Sequence, residues 1–276
     1  MIAPALKLRP LTLPDILDEA FRIYRGRFPL LAGLSLGTYL PVLLITAFTG
    51  GAGVFAAIYA AAMGAAVPPS SITPDYSAYL SLLLYPIQIA IAPLHYSALA
   101  ATAVWAVLGY TPNARSLFSM LARTYFPSAL LALMLAVVGG LAIFCFPLGI
   151  WLLVKLALTY SAYYAEGTGF SSALQRSWSL TRHFFWRTLG LLAILVLLFY
   201  AITYALIPLI SLASILPGLP LFVRGGIFVA ALGIPQQIIE PLIAVAITLI
   251  YFDLRVRKEA FDLEMMAYQV AAEPSR

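Results

Sequence analysis

Three ionisable side chains interrupt the most apolar stretches of this sequence: His95, Lys155 and Glu240. An unpaired charge inside hydrocarbon costs roughly 2.5 to 3.5 kcal/mol, so each group requires a partner, a polar cavity or a route to the surface. Together they would bind a proton, an ion or a polar solute. Gln88 and Gln237 lie near them in the sequence and complete a candidate central polar site.

Residue counting places these groups at similar depths. Lys155 and Glu240 lie roughly 16 to 20 Å, at 1.5 Å per residue, from the helix ends near Glu166 and Asp253, and His95 lies at nearly the same depth. The spacing predicts that Lys155 and Glu240 face the interior of a helix bundle. They either pair with each other or, in the alternative, Lys155 extends outward to the surface.

The two stretches that hold His95 and Glu240 also share a proline pattern. Pro86 and Pro93 occur in one, and Pro235 and Pro241 in the other. Proline removes a backbone donor, and the freed carbonyls are tolerated in a membrane only where protein or water satisfies them. Interrupted helices with central polar residues often line transport sites. The alternative is a structural polar network that locks the helices together.

The composition defines the class of protein that holds these residues. Of 276 residues, 63% are hydrophobic and 10% are charged, and the mean hydropathy is +0.97. A soluble domain is about half apolar and about a quarter charged. These values exclude a soluble enzyme and a disordered chain, and one cysteine excludes a disulfide scaffold. The sequence therefore predicts an integral membrane protein.

Six stretches are long and apolar enough to cross ~30 Å of hydrocarbon as helices. They are residues 28–49, 79–109, 126–145, 148–165, 188–212 and 227–252. Pro147 and Gly149 predict a tight hairpin between the third and fourth; one long kinked span is the alternative. We predict an all-α integral membrane protein of six transmembrane helices arranged as three related hairpins. Whether residues 50–69 enter the membrane stays open.

Basic residues indicate the orientation. Fourteen of the 16 lysines and arginines fall on one side of the predicted spans, with Arg224 on the other and Lys155 inside a span. The positive-inside rule then places both termini in the cytoplasm. The net charge of +5 is explained by this asymmetry, so it is no signal for nucleic acid; it predicts contact with anionic lipid headgroups.

A short pattern precedes each odd-numbered span. Arg25, Arg123 and Arg182 each stand three residues before a phenylalanine, and a helix-capping residue stands ten residues before each arginine: Asp15, Asn113 and Ser172. We predict a short cytoplasmic amphipathic helix in each place, the first over residues 12–27 with a capping box between Thr12 and Asp15. These helices are either plain interfacial anchors or a docking collar for a protein partner or lipid headgroups. The candidate docking contacts are Arg25, Arg123, Trp178, Arg182, Arg255 and Arg257.

The acidic C-terminal region is predicted to be a charged cytoplasmic helix over residues 253–270. Arg255 with Glu259 and Lys258 with Asp262 have the spacing of helical ion pairs, which favours a solvated helix over a metal site. Recognisable catalytic, metal-binding and nucleotide-binding motifs are missing from the sequence. We therefore expect a non-enzymatic protein with no metal and no cofactor.

Three motifs carry a resemblance to a known family. They are LRPLT with DILDEAFRIYR (residues 8–12 and 15–25), EG with ALQRSW (166–167 and 173–178) and YFDLRVRKEAFDL (251–263). The chain resembles the polytopic membrane domain found fused to bacterial glycerophosphoryl diester phosphodiesterases. The resemblance implies a multi-pass protein of the bacterial cytoplasmic (inner) membrane. It does not imply hydrolysis, which in the fused proteins belongs to a separate barrel domain.

Two functions follow as expectations. The first is a non-enzymatic membrane module, an accessory or scaffold protein at the cytoplasmic membrane, which the resemblance links to lipid or envelope metabolism. The alternative is a small transporter or lipid-handling protein that uses the central polar site. An intramembrane enzyme would require a water-accessible cavity with at least two convergent titratable groups.

Overall fold

The fold is built from helices alone in the part of the chain that the computed structural model describes, residues 10–49, 76–110, 114–214 and 221–259. Of these residues 93% are helical, and none of them forms a strand. The helices are α1 Leu13–Gly26, α2 Phe28–Thr49, α3 Tyr76–Val107, α4 Ala114–Phe144, α5 Phe146–Leu156, α6 Thr159–Glu166, α7 Phe170–His183, α8 Phe185–Ser214 and α9 Leu221–Glu259. The predictions for residues 50–69, for Asn113 and for residues 260–270 lie outside the described ranges.

Six helical stretches have the length and apolar character to cross a membrane. They are Phe28–Ala47, Pro86–Val107, Arg115–Ala142, Phe146–Glu166, Phe185–Ala205 and Gly226–Glu259. The predicted all-helical class with six spans is confirmed at this level, and it is consistent with a multi-pass membrane protein.

Helix α9 occupies the centre of the bundle. It packs against α2, α3 and α8, and also against α1 and α7 near its C-terminal end. Its residues Val245, Ala246, Leu249 and Ile250 are completely buried. A helix that is apolar on every side must be surrounded by other elements or by lipid, and in α9 much of that surface is covered by neighbouring helices. Consecutive spans also contact each other, α2 with α3, α4 with α5 and α8 with α9.

The N-terminus of α1 has the predicted capping box. Thr12 is the N-cap, its hydroxyl oxygen accepts from the amide of Asp15, and the Asp15 carboxylate accepts from the amide of Thr12. The buried residues of α1, Ile16, Ala20 and Ile23, belong to the core cluster that also contains much of α9. This face of α1 is therefore directed at the bundle.

The predicted cap of the third short helix and the prediction of a separate second short helix are wrong. Helix α7 begins at Phe170 with Gly169 as its N-cap, so Ser172 lies inside the helix and caps nothing. The second short helix is not a separate element, because α4 runs without a break from Ala114 through Pro127 to Phe144. Pro127 removes one backbone donor, and the Ser128 hydroxyl donates to the carbonyl of Thr124 at this point of the helix (2.6 Å).

The fourth span is divided into α5 and α6 at Ala157 and Leu158. No proline or glycine marks this break. Helix α7 packs on both pieces, and the hydroxyl of its buried Ser177 donates to the carbonyl of Lys155 just before the break (2.6 Å). Tertiary packing therefore decides the position of the break.

The chain reverses at Cys145, between α4 and α5, and this reversal leads to a prediction. A methyl group at Gly149 would meet the backbone of Ala142, so Gly149→Ala should cost roughly 1 to 3 kcal/mol of stability through overpacking. Gly140→Ala is the matched control, since nothing lies within 4 Å of a methyl group there. Thermal unfolding in detergent measures both variants. Equal melting temperatures would contradict the close contact.

Candidate functional site

The buried centre of the bundle contains an ionisable pair. Nε2 of His95 in α3 lies 3.2 Å from Oε2 of Glu240 in α9. The His95 side chain is 3% exposed and that of Glu240 is 25% exposed. The structure thus brings together two of the three ionisable groups predicted for the central site, and Glu240 pairs with His95 instead of Lys155.

The other ring nitrogen of His95 contacts α2. Nδ1 lies 2.8 Å from Oγ1 of Thr38, and that hydroxyl also lies within hydrogen-bonding distance of the carbonyls of Leu34 (2.8 Å) and Ser35 (3.2 Å). One hydroxyl has one hydrogen. If it points to a carbonyl, Nδ1 must carry a proton; if it points to Nδ1, the imidazole is protonated at Nε2.

This geometry has a chemical consequence. With Nδ1 protonated, one further proton joins Nε2 to Glu240, either as imidazolium with carboxylate or as neutral imidazole with carboxylic acid. With the Thr38 hydroxyl donating to Nδ1, the pair holds one proton fewer. The direction of the Thr38 hydroxyl hydrogen therefore decides which of these two hydrogen-bond arrangements the pair adopts.

Hydrogen bonds between side chains extend the polar site along α2. The Ser35 hydroxyl donates to Oε1 of Gln237 (2.9 Å), and Gln88 donates to the hydroxyl of Thr46 (3.4 Å). Gln237 is buried and lies on α9 shortly before Glu240. Gln88 lies on α3, almost two turns before His95. The site therefore joins α2, α3 and α9 through polar contacts.

Tyrosine hydroxyls satisfy the backbone near two prolines. Tyr24 donates to the carbonyl of Ile238, three residues before Pro241, and Tyr125 donates to the carbonyl of Ala90 (3.1 Å), three residues before Pro93. Proline distorts the preceding turn of a helix, so carbonyls there need other donors. At these two positions protein side chains supply them.

Lys155 belongs to a different place in the fold. Its Nζ lies 6.0 Å from the ring centre of Trp151, 5.7 Å from that of Trp178 and 5.8 Å from that of Phe185. Phe185 is the first residue of α8, and Trp178 lies on α7. The prediction that Lys155 shares a site with His95 and Glu240 is wrong. The position of Lys155 was counted from Glu166 along one straight helix, but this span breaks between α5 and α6, and α7 packs on both pieces.

A buried carboxylate fastens the start of the described chain to α8 and α9. The Asp253 side chain has no exposed surface and accepts from the amide of Leu11 (2.7 Å), from Nη2 of Arg187 (2.9 Å) and from Nε of Arg257 (3.0 Å). Both arginines also donate to the carbonyl of Leu11 (2.6 and 2.8 Å). We call this set the Asp253 cluster.

A second ionic group joins α6, α7 and α9. Arg176 donates from Nε to Glu166 (2.6 Å) and with both terminal nitrogens to Glu259. Tyr251 donates to Glu166 (2.6 Å), and Arg255 lies 3.3 Å from Glu259, which confirms that predicted helical pair. Partial burial alone would lower the pKa of Arg176, but hydrogen bonds to Glu259 and Glu166 raise it above its ordinary value, so the guanidinium stays charged. We call this set the Arg176 cluster.

The candidate docking residues divide into two groups. Arg25, Arg123, Trp178 and Arg182 are exposed, whereas Arg255 and Arg257 are engaged in the two clusters. Arg255 and Arg257 are thus held by ion pairs within the chain, and the docking role of all six residues stays a prediction. Lys258 donates to the Ser179 carbonyl (2.9 Å), and its predicted partner Asp262 lies outside the described ranges.

Sequence reasoning missed Thr38, Ser35, Arg187 and the role of Asp253. The i, i+4 spacing of Asp253 and Arg257 was the one local signal for the Asp253 cluster. The contacts of Thr38 and Ser35 depend on how α2 is rotated against α3 and α9, and nothing in the local sequence indicates that rotation. No group of three or more possible metal ligands occurs within the described ranges.

The fold and the site together define a class: a helical protein with six helices long and apolar enough to cross a membrane, and with a histidine–glutamate pair between two of them. No protein-family model matches the chain, and neither the curated proteins nor the solved structures contain a match. Functional inference therefore rests on the contacts described above.

Proposed function

We propose that this protein is a non-enzymatic module of the cytoplasmic membrane that binds anionic lipid headgroups through one end of its bundle and serves there as an accessory or scaffold protein. The observation that carries the proposal is the set of exposed side chains Arg25 on α1, Arg123 on α4, and Trp178 and Arg182 on α7. We call these four residues the basic platform.

Preorganisation supports this role. The two clusters join α1, α6, α7, α8 and α9 at one end of the bundle, so a headgroup that binds there does not have to order the helices first. A link from Arg27 to the carbonyl of Tyr110 adds α3 to the same end. Basic side chains near a membrane surface attract anionic lipids by about 1 kcal/mol each.

The sequence supports the same arrangement. The excess of basic residues on one side places this end in the cytoplasm by the positive-inside rule. In the proposed arrangement, the six spans form three related hairpins, and α1 and α7 lie at the membrane interface. It also keeps the link to bacterial lipid or envelope metabolism that the family resemblance implies.

The test uses lipid binding. Replacing Arg25 and Arg123 by glutamine should weaken binding of phosphatidylglycerol by about fivefold per arginine, because each removes ~1 kcal/mol of attraction. The protein is extracted with its lipid annulus, and mass spectrometry compares bound phosphatidylglycerol with phosphatidylethanolamine. Arg224→Gln, predicted to lie on the other side of the membrane, is the matched control. Equal phosphatidylglycerol enrichment in all variants would sink the proposal.

A second candidate function rests on the His95–Glu240 pair. An exposed fraction of 25% leaves the Glu240 carboxylate accessible in the middle of α9, a continuous helix that contains Pro235 and Pro241. Hydrocarbon is a costly environment for that group, so its accessible surface favours a water-filled crevice or a bound solute. A small proton-linked transporter or lipid-handling protein would use such a site.

A further inference from the structure

Lys155 is buried without an anionic partner in the part of the chain that the structure describes. The residue is 4% exposed, and the described groups nearest its ammonium are the rings of Trp151, Trp178 and Phe185. Cation–π contacts stabilise an ammonium, but they leave its three donors without hydrogen-bond acceptors. A buried ammonium is stabilised further by an anion that accepts those bonds.

A second cation lies beside this ammonium. Arg182 follows Trp178 by one turn of α7 and is close enough to Lys155 for the two positive charges to repel each other. The carboxylates at this end of the bundle have other partners: Glu166 and Glu259 bind Arg176, and Asp253 binds Arg187 and Arg257. Among the described residues, these two cations therefore have no carboxylate partner.

The surroundings of these cations favour a ligand that is part of a membrane. Trp151 and Trp178 pack edge to face, with ring centres 5.1 Å apart, and they are 39% and 40% exposed. Tryptophan is enriched at the level of the lipid headgroups, where its ring contacts chains and its N–H contacts polar groups. A free anion would gain nothing from two exposed indoles, whereas a phospholipid can cover them with its glycerol and acyl carbons.

We propose that Lys155 and Arg182 bind the phosphate group of one anionic phospholipid, with Trp151 and Trp178 contacting its glycerol backbone. This proposal rests on the proposed headgroup-binding function and narrows it to one stoichiometric site. Lys155 supplies an ammonium that lies beside the two indoles, and Arg182 supplies a guanidinium from α7. A hydrogen bond to a charged group contributes roughly ten- to a hundredfold in affinity.

The experiment counts bound lipids by native mass spectrometry on the full chain, titrated with short-chain phosphatidylglycerol. We expect Lys155→Met, which keeps the apolar stem, to lose one tightly bound lipid and to weaken that site about ten- to a hundredfold. Arg182→Gln changes an exposed side chain, so it is expected to fold normally and to weaken the same site. Arg224→Gln, predicted to lie on the other side of the membrane, is the control that should leave lipid binding unchanged. Arg25→Gln is the comparison variant, which should weaken the general attraction of the platform but keep the one tightly bound lipid.

The outcomes separate the two proposals. Loss of one lipid in Lys155→Met and Arg182→Gln, but not in Arg25→Gln, supports the site. Unchanged binding in the folded Arg182→Gln and Lys155→Met variants, with weakening in Arg25→Gln, overturns the site and leaves the general platform intact. No preference for phosphatidylglycerol in the unmodified protein overturns both. Competition with inorganic phosphate tests the source of the anion: binding of phosphate alone, without the lipid, also overturns this proposal.

Discussion

Replacing Asp253 by asparagine is expected to lower the free energy of unfolding by about 3 kcal/mol. Removing one partner from a buried ion pair typically costs 3 to 5 kcal/mol. We expect the lower end of that range, because the side chains of Arg187 and Arg257 remain 30% and 26% exposed and retain some hydration. Asparagine keeps an acceptor for the Leu11 amide but leaves both guanidinium groups without a counter-charge.

The loss of stability in Asp253→Asn should be concentrated at the N-terminal end of the described chain. Leu11 is held by Asp253, Arg187 and Arg257, and α1 starts two residues later. Hydrogen exchange in α1 should therefore accelerate more than exchange in the centre of α9. A thermal shift in detergent measures the global loss, and amide exchange measures the local one.

Asp18 supplies the matched control for Asp253. It is exposed on α1, and Asp18→Asn should change stability by no more than ~0.5 kcal/mol, as surface substitutions usually do. If Asp253→Asn melts at the same temperature as Asp18→Asn, the buried cluster does not hold the N-terminal segment, and the preorganised platform loses its support.

The second large effect is expected at His95. Changing His95 to leucine leaves the Glu240 carboxylate without its partner and removes the hydrogen bond to Thr38. We expect a loss of about 3 kcal/mol, the lower end of the range for breaking a buried pair, because the Glu240 side chain is 25% exposed. Glu240→Gln should be much milder, because a neutral amide can still hydrogen-bond to Nε2. The double variant should be more stable than His95→Leu alone, since no unpaired charge remains.

This set of variants forms a double-mutant cycle measured by thermal or denaturant unfolding. Residues in direct contact typically show interaction energies of 0.5 to 3 kcal/mol. Additive effects of the two substitutions would mean that His95 and Glu240 do not form the pair. Lys155→Met combined with Glu240→Gln provides the comparison pair, and its effects should be additive because the two residues lie in different sites.

The Glu240→Gln variant distinguishes a structural role of the His95–Glu240 pair from a role in a proton pathway. Glu240→Gln is expected to remain folded, so a functional loss in this variant cannot be attributed to unfolding. Proteoliposomes with an entrapped pH-sensitive dye report proton movement under a pH gradient. A response in the unmodified protein that disappears in Glu240→Gln favours the second candidate function. Identical responses would leave His95 and Glu240 with a structural role.

The six spans could be predicted because their signal is local. Hydrocarbon demands about 20 apolar residues in a helix, and each run meets this demand without help from its neighbours. The capping box of Thr12 and Asp15 and the pair of Arg255 and Glu259 were predicted for the same reason, since their partners lie within one turn. Local rules were weaker for helix ends: Ser172 has the chemistry of a cap, but α7 begins at Phe170.

The polar partners depended on the tertiary structure. Counting residues along straight helices grouped Lys155 with Glu240, but α5 ends at Leu156 and α7 packs on both pieces of the broken span. Which side chains meet depends on the rotation and crossing of helices far apart in sequence. The sequence by itself determined six helices long and apolar enough to cross a membrane, because hydrophobicity acts on each segment separately. Only the packed bundle decided that Glu240 meets His95 and that Lys155 meets three aromatic rings.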